Sequence, residues 1–150
     1  MAFTLLSSDF KDGEPIPARF TCQGRGKSPA LTWSGEPHGT HWFALVMDDP
    51  DAPGGTWTHW TWWDLPLDED GVAEGADVAR LGAVQGMTSA KSVGWHGPCP
   101  PSGTHRYVFT LHALRGRLGL AAGATVEEVH AALKAKSLGS ARLMGTYQKS

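Results

Sequence analysis

The sequence predicts a mainly β fold, an antiparallel sandwich with one peripheral helix near the C-terminus. Three observations carry that prediction. First, 19 glycines and 10 prolines are scattered through the 150 residues rather than gathered in one block, which implies many short elements joined by turns. Second, apolar, β-branched or aromatic runs recur along the chain, each bounded by Gly, Pro or Asp. Third, only one stretch, late in the chain, has helical spacing together with a capping signal.

In chain order, strand-like runs fall at Phe3 to Leu6, Ala30 to Trp33, Trp42 to Met47, His59 to Leu65 and Arg106 to Leu114. Period-two alternation is clearest at His59-Trp60-Thr61-Trp62-Trp63-Asp64-Leu65. It puts His59, Thr61 and Trp63 on one face and Trp60, Trp62 and Asp64 on the other, as in a strand covered on both sides. Residues 69–94 are rich in Gly, Ala and Ser and read as mostly loop, long enough to suggest function. Thr125 and Glu128 have capping-box spacing, and Val126, Val129 and Leu133 form an apolar stripe, so a helix runs to about Lys136 and stops before Gly139. A strand from Arg142 to Tyr147 closes the chain.

Length and charge bound the function. The span 1–150 has the usual size of one domain. The 13 basic and 15 acidic residues are interspersed, with a net charge of −2, so nothing draws the chain to nucleic acid or to an anionic bilayer. No apolar run nears the roughly 20 residues needed to span a membrane. The segment Met1 to Asp9 lacks a basic n-region and reads as no signal peptide. Cys22 and Cys99 have neither CxxC spacing nor a dense framework around them; a disulfide is weakly supported, and two reduced thiols fit the default reading of a cytoplasmic protein.

Two stretches hold most of the polar chemistry: Asp48-Asp49-Pro50-Asp51-Ala52-Pro53 with His59 shortly after, and Gly97-Pro98-Cys99-Pro100-Pro101-Ser102-Gly103-Thr104-His105-Arg106-Tyr107. Each adjoins a strand-like run, so their polar groups can converge at strand ends. The prolines fix φ and remove backbone donors, which keeps these loops rigid. Imidazole N–H groups of His59 and His105, the Tyr107 hydroxyl and the Cys99 backbone N–H are the donors an oxyanion needs. Alternation puts His105 and Tyr107 on one face of their strand and turns Arg106 away, toward a carboxylate of a neighbouring loop. His38, His41, His96, His112 and His130 read as surface or strand-face residues.

These motifs, with Ser28-Pro29-Ala30-Leu31-Thr32-Trp33, the opening Phe10 to Phe20 with Asp12-Gly13 and Ile16-Pro17, and the closing Leu143-Met144-Gly145-Thr146-Tyr147, resemble the phosphatidylethanolamine-binding protein family, also called Raf kinase inhibitor-like proteins, in its bacterial and archaeal branch. The resemblance covers nearly the whole chain. It implies a Greek-key β-sandwich and a non-catalytic protein that binds a small anion (phosphate, phosphoethanolamine or a carboxylate), modulates partners such as kinases or proteases, and uses no cofactor. It assigns Asp49, Asp51, His59, Cys99, Pro101, His105 and Tyr107 to the ligand and Pro50, Pro53, Trp57 and Pro100 to the pocket wall. Homodimers are the pattern among small prokaryotic members, and the tryptophans of His59 to Leu65 would support one. Trp95-His96 stands where relatives place tyrosine before Gly-Pro-Cys-Pro-Pro, and Thr104 precedes His-Arg-Tyr, so the rim has its own selectivity.

Other readings of the same residues remain. Asp-Pro-Asp is also ordinary turn chemistry, in which carboxylates bond turn amides. Cys99 or Ser102 with His59 or His105 would make a hydrolytic relay, although no G-x-S-x-G elbow is present and prolines flank Cys99. His59, His105 and one Asp would make a two-His-one-carboxylate metal site. If Asp49 and Asp51 lie near both imidazoles, they favour imidazolium, and anion affinity rises in mild acid.

Overall fold

The computed structural model describes residues 2–149; Met1, the start of the segment read above for a signal peptide, and Ser150 lie outside the described residues. Strands β1 (Thr4–Leu6), β2 (Leu31–Ser34) and β5 (Gly71–Val72) form a small sheet in the order β1-β2-β5. Strands β3 (Trp42–Asp49), β4 (Trp57–Pro66), β6 (Val84–Gln85), β7 (Thr104–Leu114) and β8 (Ser137–Gln148) form a five-stranded sheet in the order β6-β4-β3-β7-β8. Every pairing within the sheets is antiparallel. Within the larger sheet β7 returns to lie beside β3, the strand that began the β3-β4-β6 run, which is a Greek-key arrangement.

The two sheets enclose the main core. Leu5, Leu31, Trp33 and Val72 of the small sheet meet Phe43, Leu45, Met47, Trp60, Trp62, Phe109 and Leu111 of the large one. The helix α1 (Val126–Lys136) covers the opposite face, where Val129 and Leu133 pack on Ala44, Val46, Trp63 and Leu114. Its capping box is complete: Thr125 Oγ1 accepts from Glu128 N–H, and Glu128 Oε1 accepts from Thr125 N–H. The chain enters β8 directly after Lys136, so β8 is longer than the sequence suggests and Gly139 pairs with Ala113 inside it. Residues 69–94 contain only β5, β6 and a single 3₁₀ turn at Val78–Leu81 between stretches of loop.

Strict alternation fails at two places in β4, and each failure has a purpose. The β3–β4 register shifts between Phe43 and Leu45, where Asp64 adopts φ 62° and its carboxylate accepts from Leu118 N–H and Gly119 N–H. A second shift lies between Met47 and Asp48, which pair with Trp60 and Thr58 and leave His59 as the extra residue. This bulge corrects the face assigned to His59. Trp63 packs under α1, as alternation requires of its face, but His59 lies edge-on to Tyr107, on the inner side of the sheet.

Burial also removes an argument for self-association. Trp60, Trp62 and Trp63 are fully buried within this chain and offer nothing to a second copy; Trp57 is the tryptophan of β4 that reaches solvent.

Candidate functional site

The ends of β3, β4 and β7 open into a cleft of about 230 Å³, lined by Asp49, Ala52, Pro53, Trp57, His59, His96, Cys99, Pro100, Pro101, His105 and Tyr107. The two polar stretches singled out in the sequence therefore face each other across one cavity. Residues 50–56 join β3 to β4 as a turn whose Gly54 and Gly55 take left-handed φ values of 84° and 122°. This turn brings Pro53 to the cleft that Pro100 and Pro101 also line.

Asp49 organises the floor. Its Oδ2 accepts from His105 Nδ1–H at 2.6 Å, and its Oδ1 accepts from Asp51 N–H at 2.8 Å, a carboxylate-to-amide turn bond. His105 thus has only Nε2 left for a ligand. Tyr107 lies two residues on and on the same face, its ring stacked on His105 with centroids 6.5 Å apart. The phenol is completely buried, and its hydroxyl lies near the Asp49 carboxylate without a hydrogen bond of standard geometry. Burial first, and then the charge of Asp49, pushes the Tyr107 pKa up, so the group is a neutral O–H donor.

His59 is held differently. Its Nδ1–H donates to the His96 carbonyl at 2.7 Å, while His96 N–H donates to the His59 carbonyl at 3.0 Å. The two imidazoles stack with centroids 5.6 Å apart. Burial lowers the His59 pKa to about 4 despite Asp49 nearby, which overturns the expectation that the aspartates would keep this ring cationic.

Two residues assigned to the site lie outside it. Asp51 faces away from the cleft: its Oδ2 accepts from Arg106 N–H and Nε–H at 2.9 and 3.0 Å, and its Oδ1 from Nη2–H at 2.8 Å. Arg106 pulls the Asp51 carboxyl down to about 2. Arg106 does point away from the pocket to a loop carboxylate, and that carboxylate is Asp51. Pro50 shapes the turn without lining the cleft. In the other direction, the sequence reading left out Ala52 and His96. The Trp95-His96 departure was the available signal for His96, but its principal contact is a backbone carbonyl, which no residue type announces.

The cysteines require a further correction. Cys22 and Cys99 form a disulfide spanning 77 residues of sequence, and the adjacent Cys22 N–H donates to the Pro98 carbonyl at 3.1 Å. Both cysteines are exposed, and the bond ties the motif loop to the turn after the 3₁₀ segment Ala18–Phe20. In this state Cys99 holds no thiol for a nucleophilic relay, and exposed Ser102 lies outside the cleft. Among the described residues, no three His, Cys, Asp or Glu side chains are grouped to hold a metal ion. The carboxylate of the imagined triad, Asp49, is instead bonded to the imidazole beside it.

A Greek-key sandwich with a rigid, histidine-lined cleft where three neighbouring strands end defines the class: a β-sandwich with a small-ligand pocket. Comparison with known proteins makes this specific. The family model described as phosphatidylethanolamine-binding protein matches residues 6–148, and the chain belongs to that family. A UPF0098 protein of Methanothermobacter thermautotrophicus is 46% identical over 148 residues, covering 97% of this chain and 98% of that one. A Mycobacterium tuberculosis (strain H37Rv) protein whose name proposes a lipoprotein, LppC, is 42% identical over 147 residues, covering 97% of this chain and 72% of its own. The solved structure of Escherichia coli YbcL, titled a new member of the mammalian PEBP family, superposes with a TM-score of 0.93 at 33% identity over the whole of both chains. Among the described residues no helix is long and apolar enough to cross a membrane.

Proposed function

We propose that this protein is a non-catalytic receptor for a small oxyanion, a phosphate or phospho-headgroup, held in the cleft between His59, His105 and Tyr107. The single observation that carries this reading is the Tyr107 hydroxyl: fully buried, with no hydrogen bond of standard geometry although Asp49 is near, and at a site where both neighbouring imidazoles have spent Nδ1 and keep Nε2. A buried O–H left unpaired costs about 1–3 kcal/mol, which a ligand oxygen at this position would recover. The Cys99 backbone N–H is a further donor at the cleft wall in this reading, and Trp57, Pro53, Pro100 and Pro101 supply apolar sides.

The same reading takes residues 1–150 as one domain and gives the protein no turnover of its own. Action on a partner kinase or protease, which the family resemblance implies, would then depend on whether the cleft is filled. A cytoplasmic location is the default reading of the sequence, which two reduced thiols would fit; the exposed Cys22–Cys99 disulfide withdraws that added support, since such bonds persist chiefly in oxidising compartments and in thermophiles.

The test is calorimetric titration of phosphate and phosphoethanolamine into wild type, His105→Ala and Tyr107→Phe, with two-dimensional NMR to locate the response. Saturable binding with shifts at His59, Cys99, His105 and Tyr107, weakened in both variants, supports the pocket. A wild type that ignores both ligands at millimolar concentration removes it.

A further inference from the structure

Both His105 and His59 have a ring proton placed on Nδ1 by a partner that only accepts, the Asp49 carboxylate for His105 and an uncharged backbone carbonyl for His59. A carbonyl oxygen only accepts, so the 2.7 Å contact to the His96 carbonyl places the proton on Nδ1. A neutral imidazole has a single N–H, and Nε2 is therefore a lone pair. That nitrogen has no protein partner among the described residues and belongs to a side chain that lines the cleft. Asp49 adds negative charge beneath it, and neither Lys nor Arg lines the cavity; Arg106 is engaged with Asp51 outside.

This set of groups is unsuited to an oxyanion that brings only acceptor oxygens. Such a ligand would satisfy Tyr107 but set an oxygen lone pair against the lone pair of His59. A monoprotonated phosphate group has both roles: its P–O–H donates to His59 Nε2 while its other oxygens accept from Tyr107 O–H. From this complementarity we infer that the cleft selects the monoanionic, P–O–H-bearing form of phosphate or of a phosphate monoester, with His59 reading the proton. The inference rests on the oxyanion reading above and narrows it to one protonation state and against diesters and sulfates.

A pH dependence follows from the ligand's own proton. The groups facing His59 are Asp49 from β3, His105 and Tyr107 from β7, and the stacked His96. With the His59 ring staying neutral down to about pH 4, the proton it reads is the second phosphate proton, with a pKa of about 6 in monoesters.

Methyl phosphate and methyl sulfate make the decisive pair, because at pH 5.5 both are monoanions of nearly one shape and only the first carries an acidic proton. Calorimetry should show methyl phosphate binding about tenfold or more tightly than methyl sulfate, the scale of one unmatched hydrogen bond to a buried group. Dimethyl phosphate should resemble the sulfate, and phosphoethanolamine the methyl ester, which separates a free monoester from the diester of an intact lipid. Above about pH 6 the affinity for methyl phosphate should fall roughly tenfold per unit. Equal binding of the ester and the sulfate overturns the inference and leaves the oxyanion pocket standing. Binding of neither overturns both. Long-range proton–nitrogen NMR of the free protein gives an independent check: a proton found on His59 Nε2 instead of Nδ1 also overturns it.

Discussion

His105 Nδ1 donates to Asp49 Oδ2 at 2.6 Å, and this bond joins the first turn-side residues of β7 to the last residue of β3 beneath the ligand cleft. Both side chains are almost wholly buried, so neither end can turn to water if the other is removed. Asp49 also holds the Asp51 amide with its second oxygen, and an amide side chain cannot accept at both positions. Asp49→Asn should therefore destabilise the protein by about 1–3 kcal/mol in urea unfolding and weaken phosphate binding about tenfold or more, because His105 loses its fixed orientation. Unchanged stability and affinity would show that the bond neither supports the fold nor positions the ring.

Arg106 and Asp51 predict the opposite pattern. Their triple contact lies on the outer surface and is largely exposed, so its contribution is screened by solvent. Arg106→Gln should leave phosphate affinity within about twofold of wild type, which calorimetry checks. The stability effect has a defined pH window: the Asp51 carboxyl is held at about 2 in the folded state, so the contact stabilises above the ordinary carboxylate range and fades as pH falls from about 4 toward 2. Acid unfolding of Arg106→Gln and wild type should thus converge at low pH.

What the sequence disclosed, and what it hid, divides along physical lines. The apolar runs gave the strands because burial patterns are local, and Thr125 with Glu128 marked the start of α1 because a capping box is complete within four residues. His105, Arg106 and Tyr107 could be sorted between two faces because β7 keeps regular register through them. His59 could not, since the bulge that turns it inward arises from pairing between β3 and β4, 10 or more residues apart. The role of His96 lies in a main-chain oxygen, and Asp51 was separated from Asp49 only once Arg106 stood beside it. The disulfide joins residues 77 apart, a distance over which spacing says nothing of pairing.

That disulfide closes a long loop. On a chain-entropy model a 77-residue closure is worth about 4.5 kcal/mol, subject to residual order in the unfolded chain. Cys22→Ser with Cys99→Ser, or a thiol reductant on wild type, should lower the melting temperature by about 10–15 °C for a chain of this size. Scanning calorimetry measures the loss, and alkylation before and after reduction, read by mass, should reveal two thiols only in the reduced sample. Alkylation of both cysteines in the untreated protein would show that the bond is not formed.

Gly145 predicts a packing failure at the other edge of the large sheet. Gly13 N–H donates to the Met144 carbonyl and Ile16 N–H to the Thr146 carbonyl, so the segment around Ile16 runs along β8. A Cβ on Gly145 would stand 2.5 Å from Ile16 Cγ1 and 2.8 Å from Phe10 Cε2, both in the main core. Gly145→Ala should cost about 1–3 kcal/mol in urea unfolding. A neutral result would mean that the opening segment can leave β8 freely.

His59 and His112 together predict how the fold responds to acid. Burial lowers both pKa values to about 4, from two different faces of the sheet. Above the unfolded-state value of about 6.5 both rings are neutral whether the chain is folded or not, and neither contributes to pH dependence. Between 6.5 and 4 the unfolded chain takes up protons that the folded chain refuses, so stability falls with pH; below 4 the loss is complete. Each ring accounts for roughly 3 kcal/mol across this interval. Urea midpoints from pH 7.5 to pH 4 should decline accordingly. Replacing His112 with Gln, which is neutral throughout and can still bond Ser137 Oγ, should flatten about half of the decline while leaving ligand affinity at pH 5.5 within about twofold, since His112 lies across the sheet from the cleft. A full decline in His112→Gln would put the acid sensitivity on other groups.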